Sequence, residues 1–203
     1  DHFTHNFHTA LVWVDDTHLR IFLPYANMID FEKANEWQVK DEEIPYQLRE
    51  NSKHFFLLDP LAERIYTFDK YELLQPNGFL KMGALIRVED RNGNAHTLTY
   101  DKDSIRIEDG LGRALVLTVA DPNEKWLWAH LTQITDQSGR IIKFGYQTNM
   151  EGVWTTHLTR VTDAMGATTV FNYTGPLTNS VIASVTYPRG NTPYTQEYTQ
   201  SPT

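Results

Sequence analysis

An all-β fold of stacked antiparallel hairpins is what these 203 residues predict. Three observations predict it: a turn motif that recurs along the chain, period-two alternation after each copy, and paired strand-like runs upstream of the first copy. Four segments share one template. They are Val88-Glu89-Asp90-Arg91-Asn92-Gly93 running to Tyr100, Ile107-Glu108-Asp109-Gly110-Leu111-Gly112 running to Val119, Ile134-Thr135-Asp136-Gln137-Ser138-Gly139 running to Tyr146, and Val161-Thr162-Asp163-Ala164-Met165-Gly166 running to Tyr173. A β-branched residue stands two before each Asp, Gly stands three after it, and Tyr or Val follows seven after the Gly. The Gly-to-Gly spacings are 19, 27 and 27 residues, so the motif is constant while its connections vary.

The spacing has a physical reading. Asp suits the first position of a type I turn, where its carboxylate accepts backbone N–H groups. Gly three residues later suits the left-handed position of a G1 bulge, which sets the register of a short hairpin. After the Gly, odd offsets give Leu115, Leu117 and Val119, then Ile142, Phe144 and Tyr146, then Phe171 and Tyr173. Even offsets give Thr97, Thr99, Lys143, Gly145, Thr168 and Asn172, with Val116 and Val170 as exceptions. One strand face is therefore expected to be buried and the other wet. A fifth, degenerate copy runs from Val185 to Gly190, with Tyr187 in place of the Asp and Pro188 at a turn position that favours its fixed φ.

Upstream, Leu11–Val14 and Leu19–Phe22 read as strands split by Asp15-Asp16, and His54–Leu58 and Arg64–Phe68 as a second pair around Asp59-Pro60. Asn27–Glu36 is assigned to a short helix on weak apolar spacing, and Lys40–Glu43 to a solvated loop. Residues 1–80 form a pre-repeat hairpin region and residues 81–203 the repeats, with no Gly/Ser linker between them.

Bulk properties narrow the function. Apolar residues make up 40% and charged residues 22%, as in ordinary globular chains. No apolar run is long enough to span a membrane as a helix. The start, Asp1-His2-Phe3-Thr4, has neither the basic nor the apolar region of a secretory leader and reads as cut from something longer. Cysteine is absent, which excludes disulfides, thiolate zinc sites and thiol nucleophiles. The net charge of −8 divides as −7 over residues 1–80 and −1 over 81–203. Neither part carries the basic excess that phosphate neutralisation needs, so no nucleic-acid partner is expected.

His2, His5 and His8 invite a metal hypothesis, yet a spacing of three on a strand alternates faces and keeps the rings apart. Asp90, Asp109, Asp136 and Asp163 resemble paired catalytic carboxylates or calcium ligands, but each has a complete role within its own turn. Ser104, Ser138, Ser180 and Ser184 lack a nucleophile elbow. Asn172-Tyr173-Thr174 is a formal glycosylation sequon. Trp13, Trp37, Trp126, Trp128 and Trp154 are the aromatics least clearly assigned to a core, and exposed ones stack on sugars or pack on partners. No catalytic, cofactor-binding or metal-binding residue is expected.

The runs Leu85–Asp101, Leu131–Tyr146 and Leu158–Tyr173 resemble the rearrangement-hotspot (RHS) or YD-repeat family. The opening Phe3–Phe7 and the stretch Phe55–Leu80 are similar to that family's lead-in strands. The resemblance implies a strand-rich spiral that winds into a hollow shell around a toxin domain in bacterial polymorphic toxins, or forms part of an adhesion ectodomain in animals. The family's autocleavage core and variable toxin domain have no counterpart here, since Asp59-Pro60 and Asp121-Pro122 have different surroundings. So few repeats form an arc and not a closed container. The expected function is thus a non-enzymatic shell segment, cytoplasmic before export and secreted by a type VI or related route. Its expected partners are other repeats of the parent chain and an enclosed toxin, with self-association through strand edges. The alternative is a carbohydrate- or cell-surface-binding β module.

Overall fold

The computed structural model describes residues 9–24, 27–41, 45–70, 81–120, 130–148, 156–175 and 180–196. Among these the chain is all-β, with seventeen strands, no α-helix and no closed barrel. Two compact units form, one within residues 4–129 and one within 130–203.

The first unit contains β1 (Ala10–Trp13), β2 (His18–Phe22), β3 (Met28–Lys33), β4 (Trp37–Val39), β5 (Gln47–Glu50), β6 (His54–Asp59), β7 (Arg64–Asp69), β8 (Lys81–Asp90), β9 (Ala95–Tyr100), β10 (Ser104–Asp109) and β11 (Ala114–Val119). They make two antiparallel ladders that share β8. The first ladder runs β4-β3-β2-β1 and ends on Lys81–Ala84 of β8. The second runs β5-β6-β7, then Leu85–Asp90 of β8, then β9-β10-β11.

Register shows which faces meet. Leu11, Trp13, Leu19, Ile21, Phe31, Lys33 and Trp37 project from one face of the first ladder, because directly paired residues share a side. Leu48, Glu50, Phe55, Leu57, Phe68 and Leu85 share one face of the second. Edge-to-face contacts join the two, Trp13 to Phe55 at 5.6 Å and Trp37 to Phe55 at 6.0 Å between ring centroids. The core lies between them and includes the fully buried Leu11, Leu19, Ile21 and Phe31 from one ladder and Leu57, Phe68 and Leu85 from the other. The buried face of the second ladder continues through Val88, Leu98, Ile105, Ile107 and Leu117.

The helix expected over Asn27–Glu36 is instead strand β3, Met28–Lys33, in a three-stranded run with β2 and β4. The reason is period-two burial: Ile29 and Phe31 are buried while Asp30 and Glu32 project to the other side. On a helix, residues two apart diverge by about 200°, and these two could not share one core. The paired runs at 10–22 and 54–69 form hairpins, β1–β2 and β6–β7. Asp59 is buried at the second turn, and its Oδ1 accepts the N–H groups of Leu61 and Ala62 at 3.0 and 2.9 Å.

The second unit is a meander of β12 (Leu131–Asp136), β13 (Ile141–Thr148), β14 (Thr156–Thr162), β15 (Thr168–Thr174), β16 (Val181–Thr186) and β17 (Tyr194–Thr195). Its core is shallow: Leu131, His157 and Leu158 are the buried residues among those described there. Odd-offset residues keep a common face, yet the depth differs from expectation. Leu115 of β11, in the first unit, and Ile142 of β13 lie 41% and 36% exposed, because each sits next to its turn at the rim of its sheet.

Every repeat turn has the same geometry. The N–H of Gly93, Gly112, Gly139 and Gly166 donates to the carbonyl of the Asp three residues before. The Asp N–H in turn donates to the carbonyl four residues on, which is the signature of a type I turn with a G1 bulge. The four glycines have φ between +79° and +84°, where a Cβ is strained. Gly190, at +79°, completes the degenerate fifth turn with Tyr187 in the Asp position.

A second recurrent device closes the open end of three hairpins. The hydroxyls of Tyr100, Tyr146 and Tyr173 donate to the carbonyls of Leu85, Leu131 and Leu158 at 2.5, 2.7 and 2.8 Å. Tyr146 and Tyr173 each follow directly on a β-bulge, which shifts the register by a residue before the ring. Burial pushes the Tyr146 hydroxyl up to about 12, so it remains a donor throughout the neutral range. Tyr146→Phe is expected to cost about 1 kcal/mol through the carbonyl left without its partner, measured by urea denaturation. No change in midpoint would show that water replaces the hydroxyl fully.

Candidate functional site

The turn aspartates are the most reactive-looking groups in the sequence, and their carboxylates are used locally. In the third repeat, Asp136 Oδ1 accepts the N–H of Ser138 and of Arg140, both at 2.9 Å, and the Ser138 hydroxyl at 2.7 Å. Its Oδ2 takes the Arg140 guanidinium at 2.6 Å. Asp109 repeats this with Leu111 and Arg113, and Asp90 with Asn92 and Asn94. Asp163 accepts the N–H groups of Met165 and Ala167, and Ala167 supplies no side-chain donor. In Asp90, Asp109 and Asp136 both carboxylate oxygens are engaged within the turn, whereas Asp163 engages Oδ1 alone.

In Asp90, Asp109 and Asp136 these contacts stabilise the ionised form. The Ser138 hydroxyl, followed by the Arg140 N–H and guanidinium, holds Asp136 at about 2. Its folded value thus lies below the unfolded aspartate value of about 3.9. The unfolded chain binds more protons between those limits, so this contribution is present above pH ~4 and lost as pH falls toward ~2. Asp136→Asn keeps an acceptor oxygen and removes the titration. The fall in melting temperature between pH 5 and pH 2 is expected to be smaller in this variant than in the unmodified chain. Equal falls would show that the turn carboxylate does not contribute to acid sensitivity.

Of the other candidates, His2, His5 and His8, together with Trp126, Trp128 and Trp154, lie outside the described residues. Among those described, no three His, Asp or Glu side chains are grouped to hold a metal ion. Asn172 is exposed, and its amide donates to Ser184 Oγ at 2.9 Å. Ser180 meets a histidine: its Oγ is hydrogen-bonded to Nε2 of the buried His157, whose ring stacks on Tyr173 at 4.7 Å. Among the described residues no carboxylate is hydrogen-bonded to His157.

The structure assembles one polar cluster that the sequence did not announce. At the rim of the two-ladder core, Glu50 of β5 receives Lys33 Nζ at 2.5 Å and the Trp37 indole N–H at 3.1 Å on Oε1, and Lys70 on Oε2. Lys33 Nζ lies 5.2 Å from the Trp37 ring centroid and Lys70 Nζ 4.5 Å from that of Phe55, which adds cation–π attraction. Burial pushes the Glu50 carboxyl up, but hydrogen bonds from Lys33 and Lys70 outweigh it and leave the group at about 2. Beside the cluster opens a cleft of about 420 Å³, lined by Lys33, Asn35, Glu36, Trp37, Leu48, Arg49 and Glu50. Trp37 was a sequence candidate; Lys33, Glu50 and Lys70 were not. Strand parity was the available signal, since Lys33 pairs directly across from Trp37.

No protein-family model matches the chain, and no curated protein sequence matches it significantly. No helix among the described residues is long and apolar enough to cross a membrane.

Proposed function

We propose that this chain is a structural wall section of an RHS or YD-repeat shell, a non-enzymatic segment that packs against further repeats and screens an enclosed toxin domain. The observation that carries the reading is the repetition of one hairpin device with its polar groups consumed internally. Five turns share one backbone geometry, and four aspartates each commit Oδ1 to it. Such a hairpin holds its own shape and presents two dissimilar faces. In the second unit, Ile134, Ile142, Phe144, Val161, Phe171 and Val185 share one face. Lys143, Arg160, Thr162, Thr168, Asn172 and Ser184 share the other. A wall uses that asymmetry, with one side toward solvent and one toward contents or a neighbouring layer. Export from a bacterial cell by a type VI or related route belongs to the same proposal.

The test is the complete reading frame and the product it encodes. Further Asp-x-x-Gly hairpins and a downstream domain that resists protease until the repeats are cut are the expected result. A frame without further repeats, or a downstream domain cleaved as fast as when expressed alone, would overturn the proposal. Sedimentation of the 203-residue chain adds a second reading. Unpaired strand edges favour association that grows with concentration, and a strict monomer at high concentration counts against a segment built to be continued.

A further inference from the structure

Opposite its core side, the first ladder carries His18 and Arg20 of β2 directly across from Glu32 and Asp30 of β3. Arg20 and Asp30 satisfy each other, through Nε at 2.7 Å and Nη2 at 3.0 Å. His18 differs in having a carboxylate at each ring nitrogen. Its Nδ1 lies 2.7 Å from Asp15 Oδ2, in the β1–β2 turn, and its Nε2 lies 3.3 Å from Glu32 Oε1. The Thr17 hydroxyl is 3.1 Å from Nδ1 and donates its own proton to Asp15 Oδ1 at 2.9 Å, so toward His18 it accepts. Asp15 and Thr17 together therefore require a proton on Nδ1. A neutral ring with that proton has a lone pair at Nε2, and the lone pair faces the Glu32 carboxylate. The imidazolium alone donates at both ends.

We infer that His18 is a proton-operated staple, which ties the β1–β2 turn to β3 when protonated and releases it when the proton leaves. The surrounding charges do not replace it. Lys40, just beyond β4, reaches Glu32 Oε1 at 3.2 Å, Arg20 is committed to Asp30, and Asp16 stands exposed at the turn. Among the described residues, His18 is the one cation paired with Asp15. Its hydrogen bond to Asp15 raises His18 above the ordinary histidine value, against the smaller opposing effect of burial. The Thr17 N–H and His18 hold Asp15 at about 2, and Lys40 lowers Glu32, so both carboxylates stay charged through the neutral range. A folded value above the unfolded one fixes the sign. The staple's contribution is complete below the unfolded value of about 6.5 and is lost as pH rises through the folded one. This is opposite to Asp136, whose contribution disappears on acidification. The first unit is thus held more tightly in acidic than in alkaline surroundings.

Proton–carbon NMR of the histidine rings in the full 203-residue chain follows the titration, with His18→Gln assigning the signal. The His18 ring is expected to titrate at a higher pH in the folded chain than in the same chain unfolded in urea. Asp15→Asn and Glu32→Gln each keep an acceptor oxygen and remove a charge, so each should lower the midpoint and the double variant should abolish the elevation. Equal midpoints in the folded and unfolded chain, or a midpoint that both substitutions leave in place, would overturn the inference. A second readout concerns the joint itself. The Lys33 N–H donates to the Thr17 carbonyl at 2.8 Å and so reports how firmly the turn is held to β3. Its protection against hydrogen exchange, taken relative to the His18→Gln chain, should be greater at pH ~5 than at pH ~8. The same relative protection at both would show a ring that titrates without working the joint, and would overturn the staple equally. Neither readout depends on the reading frame or on association, so this inference and the wall proposal fail separately.

Discussion

Gly83→Ala is expected to destabilise the first unit by about 2–3 kcal/mol, the upper range for forcing atoms into a packed interior. Gly83 lies on β8 directly opposite Leu11 of β1. A Cβ built there would come within 2.8 Å of the backbone carbonyl oxygen of Asp69, on β7, and within 3.6 Å of the Leu11 side chain. The oxygen belongs to backbone and has no rotamer by which to withdraw, so strands must separate. Position 83 is where β8 passes from one ladder to the other, and separation there loosens both. Equilibrium urea denaturation measures the effect, with Gly93→Ala as a turn comparison expected to cost about 1 kcal/mol. A Gly83→Ala protein as stable as its parent would show that the ladders are not so closely joined.

Phe68→Ala carries the other large effect, about 4 kcal/mol. The ring is fully buried and pairs across the sheet with Phe55 on one side and Leu85 on the other. Removing it leaves a void that neighbours on two strands cannot fill by rotation alone. Phe68→Leu, which keeps most of the volume, should cost less than half as much. A loss below about 1 kcal/mol for the alanine variant would mean that the two ladders do not face each other across this ring.

Local chemistry was readable and long-range chemistry was not. Asp136 and Gly139 declare a turn because both halves of the device lie within four residues, and backbone conformation alone selects them. The strands around 10–22 and 54–69 were legible for the same reason, each pair being joined by a short turn. Ile29 and Phe31 defeated the helix expectation because their common burial depends on strands β2 and β4, which a window of ten residues does not contain. Lys33, Glu50 and Lys70 meet through the stacking of two ladders, with sequence separations of 17 and 20 residues. No spacing rule connects three ordinary surface charges over that distance. Ser180 and His157, 23 residues apart, meet only through the fold of the second meander.

The tyrosine hydroxyl that reaches back to a leucine carbonyl has a consequence for the order of events in folding. Its two ends are 15 residues apart in each of the three hairpins, and the turn lies between them. Each hairpin can close soon after synthesis, because short loops carry a small entropic cost. The core of the first unit has no such shortcut, for Ala10 must find Ala84 before the first ladder is complete. Chains dominated by distant pairings fold more slowly than those rich in near ones. Strands β12–β17 should therefore protect their amides first in pulsed hydrogen exchange, although they follow β1–β11 in the chain and have the shallower core. The order of folding would then run against the order of translation.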